Sequence, residues 1–114
     1  MKATIWHNPR CSKSRAALAI LEGTPGVDVE VVEYLKTPPS RAEIETVLKK
    51  AGACPSEALR KGEGIVKEIG LDVRDDKAVL DAMAQHPILI ERAIVITEKG
   101  AVIARPPERV REVL

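Results

Sequence analysis

The sequence of 114 residues has no Phe, one Trp and one Tyr. Any core must therefore be aliphatic, and there is no set of aromatic platforms on which the bases of a single-stranded nucleic acid could stack. An excess of one charge is also missing: 18 Lys and Arg stand against 17 Asp and Glu, a formal net charge of +1. That balance gives no general attraction to nucleic acid or to an anionic membrane, so any anion site must be local. No apolar run approaches a membrane span, and the residues before His7-Asn8-Pro9 are too few for a signal peptide. Cysteine is scarce. Cys11 and Cys54 lie far apart and form neither a metal-ligand pattern nor a disulfide framework, which points to a reduced cytoplasm. No bound metal, bound cofactor, nucleic acid or membrane partner is expected.

Apolar residues make up 45% of the chain, enough for one globular domain. The most informative stretch runs from Thr4 to Arg15. A short apolar strand, Ala3 to Trp6, meets the breaker pair Asn8-Pro9, and a helix pattern begins just after Cys11. Cys11 thus falls where a strand hands over to a helix. Unpaired amides of a first helical turn, the helix dipole, and the cations Arg10, Lys13 and Arg15 all favour negative charge on its sulfur, and the thiolate is the nucleophilic form. The same groups suit an oxyanion such as phosphate or arsenate. A cysteine is often only a small buried hydrophobe, but these polar neighbours make no apolar pocket. His7, if charged, would help the thiolate; alternatively it is a turn histidine bonded to backbone. Asn8 is expected to shape the turn.

Beyond the first helix, about Ser12 to Glu22, Gly23, Pro25 and Gly26 close a turn. Val27 to Val31 alternates and Val32 to Leu35 extends it as a second strand, completing a parallel crossover unit. Ser40 and Glu43 form a capping box ahead of a helix with Ile44, Val47, Leu48 and Ala51 on one face. Short helices are expected over Ser56 to Lys61 and Ile65 to Ile69, and another helix after Asp75 or Asp76. Ala93 to Thr97 and Ala101 to Ala104 form a hairpin around Glu98-Lys99-Gly100. Glu108 to Leu114 reads as a closing helix. This order predicts an α/β fold: a mixed four-stranded sheet flanked by helices, thioredoxin-like, with a helical insertion over about 40–85.

Three arginines need a reason. Arg60 ends a short helix, Arg92 stands between two apolar runs, and Arg105 ends a strand before Pro106. Each guanidinium could grip two oxygens of a tetrahedral oxyanion. Each could equally be paired with a nearby carboxylate or solvated. Arg10 and Arg15 are expected to be solvated. His86 before Pro87 reads as structural. Cys54 sits in a loop with nothing electropositive around it, which argues against a resolving thiol.

Trp6-His7-Asn8-Pro9-Arg10-Cys11-Ser12-Lys13-Ser14-Arg15 resembles the opening signature of the glutaredoxin-coupled arsenate reductase (ArsC) family. Tyr34 to Pro39, Leu59-Arg60-Lys61, Gln85 to Arg92 and Arg105-Pro106 match further motifs of that family in order. The resemblance implies a thioredoxin-like fold with Cys11 as nucleophile and His7 assisting it. It implies Arg60, Arg92 and Arg105, with Ser14, as the groups that bind substrate. It also implies a cycle in which a Cys11–arsenate adduct is reduced by glutathione and the mixed disulfide is resolved by glutaredoxin. With Ser14 where a second thiol might stand, an external thiol must finish the cycle. One departure is Ala93 in place of the family's proline; a cis bond to Ala would cost roughly 2.5–4 kcal/mol, so a trans Arg92–Ala93 bond is expected.

Two other readings share the fold. A redox-responsive transcription regulator of the Spx type would bind RNA polymerase, but that type carries Cys-x-x-Cys. An ArsC-family thiol oxidoreductase with another substrate is the second. Phosphatase-like arsenate reductases are excluded, because their loop needs Cys-x5-Arg and the sixth residue after Cys11 is Ala17.

Overall fold

A computed structural model describes residues 1–91 and 93–114. The chain divides into two compact units, one formed by Met1–Thr37 with the segment from 92 to Leu114, the other by Pro38–Glu91.

The first unit is built on a sheet in the order β2-β1-β3-β4. Strand β1 (Lys2–His7) pairs in parallel with β2 (Asp28–Glu33), and antiparallel with β3 (Ile94–Thr97), which pairs antiparallel with β4 (Gly100–Ile103). Helix α1 (Ser12–Glu22) connects β1 to β2, so the expected strand–helix–strand unit and hairpin are both present. The second strand stops at Glu33 instead of reaching Leu35, because the Glu33 carbonyl accepts from the N–H groups of Lys36 and Thr37 and starts a turn. Gly100 closes the hairpin at φ 147°, in the region that favours glycine.

Alternation explains the core. Ala3 and Ile5 of β1, Val95 of β3 and Val102 of β4 meet Ala17 and Leu21 of α1, and all are buried. Alanine at 3, 17, 93 and 104 lets backbones approach closely where a chain without Phe has no large rings to fill space. Val110 and Val113 join this cluster from a 3₁₀ segment, Pro107–Val113. The sequence expects an ordinary helix there. Three residues per 3₁₀ turn bring positions 110 and 113 to the same face, and both are buried. The Arg105–Pro106 bond is cis. Arg92, and with it the expectation of a trans Arg92–Ala93 bond, lies outside the described residues.

The second unit is mainly helical and contains the region expected over about 40–85. Helix α2 (Arg41–Ala51) starts at the predicted capping box: Ser40 accepts from the Glu43 N–H, and the Glu43 carboxylate accepts from the Ser40 N–H. Gly52, left-handed at φ 65°, ends it. Helix α3 (Gly64–Glu68) is short, and α4 (Asp76–Gln85) is capped by Asp75. Ile44 and Leu48 of α2 and Val79, Leu80 and Met83 of α4 are buried. The helix expected over Ser56 to Lys61 is a 3₁₀ turn, Pro55–Ala58. It stops because Leu59 turns extended to form an antiparallel bridge with Ile90, directly after a second 3₁₀ turn, Pro87–Leu89.

Candidate active site

The site is built from the loop that carries β1 into α1. Asn8 shapes it twice over: its carbonyl accepts from the Cys11 N–H at 3.0 Å, and its side-chain Oδ1 accepts from the Arg10 N–H at 3.0 Å. The second bond is an Asx turn, the role the sequence expects of this residue. Cys11 then takes the N-cap position of α1 in an extended conformation, with its carbonyl accepting the first helical bond from the Arg15 N–H. Its side chain makes no capping bond. It is half-buried, at a helix end whose first amides have no intrahelical partner.

Beneath the loop is a buried polar cluster. Ser14 is fully buried in the first turn of α1. Its Oγ accepts from the Asn8 N–H at 3.0 Å and lies 2.7 Å from His7 Nδ1. Burial pushes the His7 imidazole below its ordinary value of 6.5; Glu33 and Glu22 oppose this, and Arg15 adds to it. Burial thus favours the neutral ring and works against an imidazolium beside the thiol. A neutral ring bonds Ser14 in either of two ways. The hydroxyl donates to Nδ1, or Nδ1–H donates and leaves the hydroxyl proton for a further acceptor. At Nδ1 the ring meets the Ser14 side chain and not backbone.

Ser14, assigned to the substrate by the resemblance, faces His7 and the Asn8 amide and is wholly removed from solvent. Here it positions the loop and the imidazole. Arg15 is exposed but not merely solvated, because its Nη1 donates to the Pro9 carbonyl at 2.9 Å and ties α1 back over the loop. Arg10 and Lys13 are exposed, so Cys11 has three exposed cations close to it in sequence.

Strand register brings Arg105 to the same end of the sheet. Trp6 of β1 pairs with Ile94 of β3, and Ile94 pairs with Ile103 of β4. The ladder continues through Ala104 N–H to the Ala93 carbonyl at 2.8 Å, and Arg105 follows immediately, exposed. Strand β4 is two strand spacings from β1, roughly 10 Å. Arg60 belongs to the other unit. Its Nη1 is 2.7 Å from Glu63 Oε1, the carboxylate pairing left open by the sequence, and Glu63 itself carried no signal there beyond its spacing of three. Arg92 lies outside the described residues. Cys54 is exposed, and its Sγ donates to Glu57 Oε1 at 2.9 Å. His86 caps the end of α4, a structural place as expected. Among the described residues no His, Cys, Asp and Glu group could hold a metal ion, and no helix is long and apolar enough to cross a membrane.

The ArsC family model matches residues 6–113, a span that includes the half-buried thiol at the helix start and the buried serine–imidazole pair. This chain belongs to the ArsC family. It is 45% identical over 113 residues to the arsenate reductase of Neisseria meningitidis serogroup A, covering 96% of each chain. Likeness to the solved structure of an arsenate reductase from Vibrio cholerae is high: TM-score 0.92 and 43% identity, over 100% of this chain and 98% of that one. An uncharacterized protein of Escherichia coli, YfgD, is 42% identical over 113 residues, covering 96% of this chain and 94% of its own. The fold of this ArsC-family chain is thioredoxin-like, as the strand order and the thiol before α1 imply.

Proposed function

We propose that this chain is an arsenate reductase in which Cys11 is the nucleophile, with glutathione and glutaredoxin as reductants. The observation that carries the reading is the setting of Cys11: N-cap of α1, half-buried and without a capping bond, in a chain 43–45% identical to arsenate reductases. Helix-end amides and the Arg10, Lys13 and Arg15 charges favour a thiolate there, and they also favour the approach of an oxyanion.

The thiolate attacks arsenic(V) of arsenate, forming a sulfur–arsenic bond while one oxygen departs as water after taking up protons. Glutathione thiolate then attacks the Cys11 sulfur. The electron pair of the sulfur–arsenic bond passes to arsenic, which leaves as arsenite in the +3 state, and a Cys11–glutathione disulfide remains. A glutaredoxin thiolate takes the glutathione sulfur and restores Cys11. Such a cycle requires reduced thiols, as the cytoplasm provides. Arg60, Arg92 and Arg105 serve as the oxyanion-binding cations in this reading, which rests for them on the family motif. His7 and Ser14 hold the loop through their buried bond, and in the Nδ1–H tautomer the Ser14 proton is available to an anionic neighbour.

The test is NADPH consumption with arsenate, glutathione, glutathione reductase and glutaredoxin. Arsenate-dependent turnover that vanishes in Cys11→Ser supports the proposal. A folded wild type with no arsenate-dependent turnover overturns it. The regulator reading gains nothing from the site, since the place of its second thiol is taken by buried Ser14.

A further inference from the structure

Arg60 is held in place by its main chain. Its N–H donates to the Leu89 carbonyl at 2.8 Å, Leu59 bridges Ile90, and the Glu91 N–H donates to the Ala58 carbonyl at 2.7 Å. The guanidinium is not left to solvent. Glu63 follows by one turn, its own N–H donating to the Arg60 carbonyl at 3.2 Å, and its carboxylate folds back to Nη1 at 2.7 Å. The two side chains are only 22% and 26% exposed. By contrast Lys2–Glu30, Lys49–Glu45 and Arg109–Glu112 join side chains 38–77% exposed. This is a sheltered pair, where attraction is less screened than at the surface.

Glu63 has no evident structural duty that would explain the pairing. It is the N-cap of α3, but its side chain makes no capping bond. Gly62 and Gly64 flank it, and a Cβ added at either would meet nothing within 4 Å. The flanking glycines leave the backbone on either side of Glu63 unencumbered by side chains, and the Glu63 side chain itself reaches solvent in part. A carboxylate and a tetrahedral oxyanion compete for the same planar fork of donors.

We propose that Glu63 sets the affinity of the oxyanion site: it occupies the Arg60 guanidinium when no oxyanion is bound and is displaced when one binds. This rests on the reading of Arg60 as a substrate-binding residue. Binding energy is then reduced by whatever the Arg60–Glu63 pair contributes, and removing the charge of Glu63 returns it. For a partly sheltered pair this corresponds to a gain in affinity of roughly two- to fivefold.

The experiment titrates arsenate by calorimetry into the full chain carrying Cys11→Ser, so that only non-covalent binding is read. Glu63→Gln, with Glu63→Ala as a second variant, is expected to lower the Kd for arsenate by about two- to fivefold. Arg60→Ala is expected to raise it, and adding Glu63→Gln to Arg60→Ala is expected to bring back little or none of the loss. In steady state with Cys11 restored, Glu63→Gln lowers KM and leaves kcat nearly unchanged. Thermal melts confirm that each variant is folded. If Arg60→Ala weakens binding but both Glu63 variants weaken it or leave it unchanged, the proposal is overturned and the role of Arg60 stands. If Arg60→Ala leaves the Kd unchanged, the reading of Arg60 fails and this proposal fails with it.

Discussion

Cys11 and Cys54 occupy the same kind of backbone position. Each is an extended N-cap residue at the start of a helical segment, and each is next or nearly next to a proline. Their surroundings are opposite. Cys11 stands among Arg10, Lys13 and Arg15 over the buried Ser14–His7 pair. Cys54 has the Glu57 carboxylate at 2.9 Å from its sulfur, and the same carboxylate accepts from its backbone N–H at 3.1 Å. A helix start is thus not enough to make a nucleophile. At Cys54 the sulfur donates to a carboxylate, whereas at Cys11 the neighbouring side chains in sequence are cations, which favour a thiolate.

The largest expected effect breaks this comparison most directly. Cys11→Ser should reduce arsenate-dependent NADPH consumption to background, while Cys54→Ser should leave the rate within about twofold, since a substitution at an exposed position changes little. Equal losses in the two variants would mean that charge environment does not separate the two thiols. Alkylation by iodoacetamide at pH 7, followed by mass spectrometry, sharpens the same contrast. Cys11 is expected to react roughly tenfold faster or more, and equal rates would mean that the two settings do not separate the thiols.

Next in size is the support beneath Cys11. Ser14→Ala removes the partner of His7 and of the Asn8 N–H, two groups that are both buried. Leaving them unsatisfied should cost about 1–3 kcal/mol, measured as a lower midpoint in urea unfolding, with turnover also reduced as the loop loses its anchor. No loss of stability would show that the serine–imidazole bond is incidental. His7 adds a dependence on pH whose sign follows from its lowered value. The unfolded chain takes up a proton on this ring near pH 6.5 while the folded chain resists it. Stability contributed by the neutral ring is therefore present above that pH and is lost as pH falls toward the folded value. His7→Gln should flatten the melting temperature across that acidic window; an unchanged profile would exclude His7 as its source.

These side-chain contacts mark the boundary of what could be read from the sequence. The sheet, α1 and the capping box at Ser40 were legible because each depends on near neighbours in the chain: alternation in Val27 to Val31, breakers at Asn8-Pro9, and the spacing of Ser40 and Glu43. The place of Cys11 at the start of α1 was legible because the breakers before it and the helix formers after it are close in sequence. The closing segment was misread as an ordinary helix, since a spacing of three between Val110 and Val113 serves either helix type until the core decides. The lowered value of His7 was not legible, because it follows from burial set by the whole unit, which outweighs the opposing charges of Glu33 of β2 and of Glu22. Glu63 was hidden for a similar reason, as a spacing of three from Arg60 outside a regular helix carries no rule for side-chain direction.

The smallest effect compares two N-caps instead of two cysteines. Ser40 satisfies the first turn of α2 through a complete capping box, whereas Cys11 leaves α1 without a side-chain cap. Ser40→Ala should cost about 1 kcal/mol. Cys11→Ser places a preferred capping oxygen at the start of α1, and should raise stability by up to about 1 kcal/mol in the same variant that has lost its chemistry. A gain of stability with loss of turnover means that the helix start of α1 is kept uncapped for the substrate. A loss of stability on Cys11→Ser would instead mean that the sulfur itself holds the loop together, and the difference between the two N-caps would then be one of packing rather than of function.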